Sequence, residues 1–262
     1  MRSADEASRS RAEFRFCEEL NDFLAPGLRK RAFVYAFNGT PSVKDAIEAI
    51  GVPHAEVDLV LVDGESVDFT RRLAGGERVA VYPYSSAWTY HRSRGCARPL
   101  RLSRFVLDVH LGKLARYLRL LGFDTYYQND YDDDAIIGLA RGESRVILTR
   151  DRGLLKRGAV THGYWVRATA PRQQLAEIIR AFDLGSSARP FTRCIRCNGE
   201  LQPVPKSAVA ERLPPRVRAH FEEFVQCSNC AAVYWPGSHY DKMRKMVDEL
   251  DTGLQLGKAS HP

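Results

Sequence analysis

The 262-residue sequence contains no apolar run of about 20 residues, the length that a membrane-spanning helix needs. Residues 1–10 alternate Ser, Arg and acids and lack the apolar segment of a secretory signal, so we predict a disordered lead there. No internal repeat is visible, which disfavours a solenoid. Without an export signal, the expected location is the cytoplasm, where thiols stay reduced.

Composition allows real hydrophobic cores, since 44% of the residues are hydrophobic. The formal net charge of +7 is compatible with a polyanionic partner such as RNA. Residues 85–103 are predicted to be an arginine-rich linker. Five arginines lie in this stretch or directly after it, with no acidic residue between the first and the last: Arg92, Arg94, Arg98, Arg101 and Arg104. They form either a solvated linker or a phosphate-binding strip.

The first block, residues 11–84, is predicted to be a small α+β domain. A helix is expected between Thr40 and Gly51. Strands are expected at residues 12–16, 32–37, 57–62 and 79–82.

Four segments of this block give it a resemblance to a known domain type: Ser42-Val43-Lys44-Asp45, residues 51–57, Val62-Asp63-Gly64 and residues 76–83. It resembles the β-grasp (ubiquitin-like) domains of thiamine- and molybdopterin-type sulfur carriers. Those carriers act through a free C-terminal Gly-Gly, whereas this chain continues into Tyr84-Ser85-Ser86. The resemblance therefore implies the fold, argues against sulfur transfer, and leaves open a protein partner that docks on this block.

The second block, residues 104–186, alternates strand and helix and predicts an α/β domain with a parallel sheet and flanking helices. Strands are expected at residues 104–108, 124–128, 145–149 and 164–168. One face of the first helix is apolar at the helical period, through Leu111, Leu114, Leu118 and Leu121. Lys113, Arg116 and Arg119 are predicted to lie on its opposite side.

Three acids follow strands of this predicted sheet, and ligands of such sheets bind beyond the carboxyl ends of the strands. Asp108 ends the first strand, Asp133 precedes the helix after the second, and Asp151 follows the third. Carboxylates gathered at one edge suit magnesium or manganese. Two of the acids also have a structural alternative: Asp133 or its neighbour Asp134 as a helix cap, and Asp151 as a turn residue. Asp108 is harder to explain structurally, because an ionisable group that ends an apolar strand is costly if it is buried without a partner.

The third block, residues 187–250, contains two Cys-x-x-Cys pairs and is followed by a tail at residues 251–262. The pairs, Cys194 with Cys197 and Cys227 with Cys230, predict a zinc ribbon with one structural zinc ion. The interval between them is long, and residues 213–224 suggest an inserted helix. Tyr234 and Trp235 are read as ribbon core rather than as base-stacking residues, and His239 as either a core residue or an RNA contact.

Long motifs carry a second resemblance: Phe105-Val-Leu-Asp108, residues 111–124, Asp133, and residues 145–151. Residues 104–245 resemble the Mut-seven C-terminal RNase family, which are PIN-like nuclease domains with a zinc ribbon and a β-grasp companion. The resemblance implies that Asp108, Asp133 and Asp151 bind the catalytic metal. It also implies that Arg150, Lys113 and Arg116 face the nucleic acid, and it leaves a fourth acid unassigned.

The expected activity is therefore a metal-dependent ribonuclease that hydrolyses RNA phosphodiester bonds at a carboxylate-bound magnesium or manganese ion. The alternative is a non-catalytic RNA-binding module with a structural zinc ribbon. The choice of metal, the RNA substrate, the cleavage polarity and the oligomeric state stay open.

Overall fold

The computed structural model describes residues 9–84 and 103–254. The described residues form two compact units. The first takes the described chain up to Tyr84 together with Thr149–Trp165, and the second takes the remainder. Most of the predicted lead, linker and tail lies outside the described residues, including Arg92, Arg94, Arg98 and Arg101. No helix within the described ranges is long and apolar enough to cross a membrane.

The N-terminal region folds as the predicted β-grasp. Its strands are Ser10–Phe16 (β1), Phe33–Phe37 (β2), Val57–Val62 (β3), Glu65–Val67 (β4) and Arg78–Pro83 (β5), and its helix is Val43–Ile50 (α1). The sheet order is β2-β1-β5-β3-β4, with β1 and β5 parallel and the other neighbours antiparallel. Alternate residues of β1, such as Phe14 and Phe16, pack into a core with Ile47 and Val81.

Local sequence accounts for the bounds of α1. Ser42 Oγ accepts from the Asp45 amide at 3.1 Å, and Asp45 Oδ2 accepts from the Ser42 amide at 3.2 Å, which is a capping box. The helix ends at Gly51, whose φ of 115° is a conformation that favours glycine.

The second block contains the predicted parallel sheet. Its strands are Arg104–Leu107 (β6), Asp124–Tyr126 (β7), Val146–Thr149 (β8) and Gly163–Trp165 (β9). Strand β6 pairs in parallel with β7 and with β8. The helices are Gly112–Leu120 (α2), Asp133–Glu143 (α3), Arg152–Leu155 (α4) and Pro171–Ala181 (α5). Strands β6 and β8 are almost wholly apolar and buried, as expected for a sheet covered on both faces.

The cysteine-containing block is a three-stranded antiparallel sheet of Leu201–Val204 (β10), Phe224–Cys227 (β11) and Val233–Tyr234 (β12). The helices Lys206–Val209 (α6) and Pro215–His220 (α7) lie between β10 and β11, which confirms the predicted insertion. Val209, Leu213 and Phe224 form a small hydrophobic core in this block, and Trp235 packs against that core. The last described helix is Ser238–Leu254 (α8).

Candidate functional site

Asp108 lies where the sequence predicted, directly after the buried strand β6. Only 7% of its surface is exposed. Its amide donates to the Leu148 carbonyl at 3.0 Å, and its Oδ1 accepts from the His110 amide at 3.4 Å. The backbone bond holds Asp108 beside the end of β8, while the side chain caps the short 3-10 turn Val109–Leu111.

Asp133 does not cap helix α3, although the sequence left that role open. Asp132 is the N-cap of α3, because its Oδ1 accepts from the Ala135 amide at 2.8 Å. Asp133 and Asp134 lie in the first turn and are both exposed. The prediction of a cap at Asp133 or Asp134 is therefore wrong, since the acid one position earlier satisfies the helix terminus.

Asp151 follows β8 by two residues and is the N-cap of α4. Its Oδ1 accepts from the Gly153 amide at 2.7 Å, and its own amide donates to Thr149 Oγ1 at 2.8 Å. A Cβ at Gly153 would lie 3.0 Å from that Oδ1, so glycine fits the turn. The turn role predicted as an alternative is confirmed, and it engages one of the two carboxylate oxygens.

The basic residues of the site differ in exposure. Lys113, Arg116 and Arg150 are exposed, as a nucleic-acid contact requires. Arg119, which was expected beside them, is buried at 4% exposure, so that prediction is wrong. Its guanidinium donates to the backbone carbonyls of Thr125 and Arg196, each at 2.9 Å. The Arg196 carbonyl lies between Cys194 and Cys197, far from α2 in sequence, so the apolar pattern of α2 alone does not reveal this acceptor.

The four cysteines form a candidate metal centre. Among the described residues they are the group of His, Cys, Asp or Glu side chains whose ligand atoms all lie within 4.8 Å of one another. Cys194 and Cys230 sulfurs are 3.7 Å apart, and those of Cys197 and Cys227 are 3.4 Å apart. A tetrahedral zinc with bonds of about 2.3 Å requires sulfurs roughly 3.8 Å apart. The four thiols therefore fit one zinc ion and leave no open ligand position.

Hydrogen bonds favour the thiolate form of Cys194, which is the form that binds a metal. Burial opposes ionisation of its thiol, but the Tyr234 hydroxyl, 3.0 Å from the sulfur, and backbone amides outweigh burial and lower its pKa to about 7. Burial raises the pKa of Cys197 and of Cys227. Tyr234, read from the sequence as core, thus hydrogen-bonds to a ligand, a role typical of residues around metal sites.

A polar network joins the first cysteine pair to the parallel sheet. Asn198 Nδ2 donates to Asp124 Oδ1 at 2.8 Å, and Asn198 Oδ1 accepts from the Thr125 amide at 2.9 Å. Arg145, with a fully buried side chain, pairs with the same Asp124 oxygen at 2.7 Å and with Glu143 at 2.7 Å. Burial opposes ionisation of Asp124, yet the bonds from Arg145 and Asn198 hold its pKa below the ordinary value.

Sequence reasoning missed these residues as a set. Arg145, at the start of an otherwise apolar strand, could have indicated the network. A charge buried there needs a partner of opposite charge. Arg104, one of the five clustered arginines, also pairs with Asp124, at 3.4 Å. His239 is exposed, which rules out its alternative role as a core residue.

Comparison with known proteins agrees with this architecture. The model of the Mut7-C RNAse domain matches residues 103–247, and that of the Mut7-C ubiquitin domain matches residues 9–89. No curated protein matches the chain.

Among solved structures, the chain is similar to the crystal structure of H. volcanii small archaeal modifier protein 1. The identity is 20% and the TM-score 0.23, over 28% of this chain and 97% of that one. The RNAse-domain match alone spans more than half of the 262 residues. The chain therefore belongs to the Mut7-C RNAse domain family.

Proposed function

We propose that this protein is a metal-dependent ribonuclease that hydrolyses RNA phosphodiester bonds. The observation that carries the proposal is the position of three acids within the RNAse-family domain. Asp108, Asp133 and Asp151 come after β6, β7 and β8 respectively, and these strands run parallel. Parallel strands have their carboxyl ends at one edge of a sheet, which is where such folds bind ligands.

The donor set at this edge suits a hard divalent cation, because all three side chains are carboxylates. Asp108, Asp133 and Asp151 would hold magnesium or manganese. When bound, such an ion activates water and offsets the charge that develops on an attacked phosphate. Asp108 is held by the backbone bond to Leu148, and the exposed Lys113, Arg116 and Arg150 would bind the phosphates that flank the cleaved bond.

Zinc has a separate role in this proposal. Cys194, Cys197, Cys227 and Cys230 would hold a structural zinc ion that stabilises the ribbon. Because four thiolates occupy every tetrahedral position, the zinc centre has no place for water or substrate.

A second candidate function is a non-catalytic RNA-binding module. The observation that favours it is that Asp108 and Asp151 each accept a hydrogen bond from the turn that follows. Those capping roles need no cation. In this case the protein would bind RNA with strong salt dependence and leave it intact.

Cleavage of labelled RNA with added manganese or magnesium separates the two functions. The full chain is compared with Asp108→Asn and with Asp132→Asn. Asp132→Asn is a matched control, since it makes the same isosteric change and Asn caps a helix as well as Asp does. We expect the wild type and Asp132→Asn to cleave, and Asp108→Asn to be slower by at least about a hundredfold.

Two results would count against the ribonuclease. RNA that is bound but stays intact with every metal would favour the binding module. Equal cleavage by Asp108→Asn and wild type would remove Asp108 from the site.

A further inference from the structure

Arg152 directly follows Asp151 and packs against two aromatic rings that also contact each other. Its guanidinium carbon lies 3.6 Å from the centroid of the Trp165 ring and 5.1 Å from that of Phe23. The two rings are 5.5 Å apart. Phe23 ends a 3-10 segment, Glu18–Phe23, of the β-grasp region, and all three residues belong to the first compact unit. We call this group the arginine clamp.

The clamp leaves the hydrogen-bonding capacity of Arg152 unused. Packing against a ring uses none of the N–H donors of a guanidinium as a conventional hydrogen bond, and Arg152 carries five of them. Across residues 9–84 and 103–254, the aromatic contacts are the interactions that Arg152 makes, and its side chain is exposed. A cation with oriented, unused donors beside Asp151 is suited to bidentate binding of a phosphate.

The β-grasp region also anchors the strand that carries Trp165. The Glu56 carboxylate, only 1% exposed, accepts a hydrogen bond from the Trp165 amide. Glu56 ends the 3-10 segment His54–Glu56, immediately before β3. A buried carboxylate is costly without such partners, so this bond ties the position of Trp165 to the β-grasp fold.

We propose that Arg152 binds a phosphate of the RNA and that the β-grasp region contributes to RNA binding by holding Arg152 in the clamp. The proposal rests on the proposed function for the identity of the polyanion. Phe23 and Trp165 restrict the guanidinium before RNA arrives, which lowers the entropy lost on binding. Glu56 is a positioning residue that acts through Trp165. The β-grasp region thereby has a role in substrate binding that needs no free Gly-Gly terminus.

The test measures RNA binding by the full chain without any cleavage step. Fluorescence anisotropy of a labelled single-stranded RNA is followed against salt, with no magnesium or manganese added, and a gel checks that the RNA stays intact. The proteins are wild type, Arg152→Gln, Phe23→Leu and the double variant. Arg78→Gln is the matched control, because Arg78 is an exposed arginine on β5, outside the clamp.

For Arg152→Gln we expect affinity on the order of tenfold lower. The slope of log K against log salt should fall by about 0.7, the value for one lost phosphate contact on a single strand. Arg78→Gln should match wild type. Phe23→Leu should weaken binding in the wild type but add nothing to Arg152→Gln, because it acts through that arginine. Thermal unfolding confirms that each variant is folded.

An unchanged salt slope for Arg152→Gln would overturn the proposal, and so would full additivity of Phe23→Leu with Arg152→Gln. The two proposals fail separately. If the protein never cleaves RNA but Arg152→Gln loses the phosphate contact, the clamp stands and the ribonuclease does not. If cleavage occurs and Arg152→Gln binds RNA like wild type, the reverse holds.

Discussion

The cysteine cluster and the three strand-end acids reach their positions in different ways. Each Cys-x-x-Cys pair is local in sequence, and the sheet β10-β11-β12 brings the two pairs within 4.8 Å. The acids are spread from Asp108 to Asp151, and two of them also cap a turn. A thiolate centre is thus recognisable from spacing alone, whereas a carboxylate edge depends on the order and direction of strands.

The largest effect is expected from removing a cysteine of the proposed zinc centre. In small zinc domains the free energy of metal binding, on the order of 10 kcal/mol in isolated peptides, drives folding. Cys227→Ser should lose zinc and unfold the ribbon at ordinary temperature. Metal content and circular dichroism measure both changes. Cys17→Ser, a half-buried cysteine of the β-grasp region, is the control and should keep its zinc. Full zinc content in Cys227→Ser would contradict the four-cysteine centre.

The join between ribbon and sheet should be the next most sensitive place. Arg145→Met removes the buried partner of the partly exposed Asp124 and should cost up to about 3 kcal/mol of unfolding free energy, the lower end of the range for a broken buried pair. Arg104→Met removes an exposed partner of the same Asp124 and should cost less than about 1 kcal/mol. Urea unfolding compares the two variants. Equal losses would mean that burial of Arg145 does not decide its contribution.

At the carboxylate edge, the two adjacent acids of α3 provide an internal comparison. We expect Asp133→Asn to slow RNA cleavage by about a hundredfold or more, because it removes a charge that we propose binds the metal. Asp134→Asn makes the same change one residue later and should cleave within a fewfold of wild type. Cleavage rates at saturating manganese measure both. The reverse order would assign the metal-binding role to Asp134.

A smaller effect separates capping from metal binding. Asp132→Ala should cost about 1 kcal/mol of unfolding free energy, because the Ala135 amide loses its acceptor. Asp132→Asn should cost only a few tenths, since Asn caps as well. Thermal unfolding of the two variants checks this. A large loss in both would show that the charge of Asp132, rather than its cap, stabilises the protein.

The smallest expected effect is a change in how the free energy of unfolding depends on pH in the acid range. Because the pKa of Asp124 is held below its ordinary value in the folded protein, its ionised form stabilises the fold above the unfolded pKa of about 3.9. That contribution is lost as the pH falls through the folded value. Unfolding measured across the acid range should therefore be less pH-dependent in Asp124→Asn than in wild type. An identical acid dependence would remove Asp124 from the set of stabilising carboxylates.

Much of the molecule was predictable because its signals are local. Four of the five β-grasp strands, the alternation of strand and helix around Asp108, and the insertion before Phe224 were predicted and are confirmed, whereas β4 was not predicted. The direction of Arg119 and the cap at Asp132 were not, because both depend on which neighbour satisfies a polar group. The metal-binding role of Asp108, Asp133 and Asp151 stays a prediction.

By itself, the sequence determined the kinds of element and which four cysteines come together, since periodicity and Cys-x-x-Cys spacing act within a few residues of the chain. Only the tertiary structure decided which charges are buried. Arg119 and Arg145 lie inside because carbonyls and carboxylates from distant segments satisfy them there. The tertiary structure also brought Phe23, from the start of the chain, to the guanidinium of Arg152. A buried or clamped cation requires partners that no single stretch of sequence supplies.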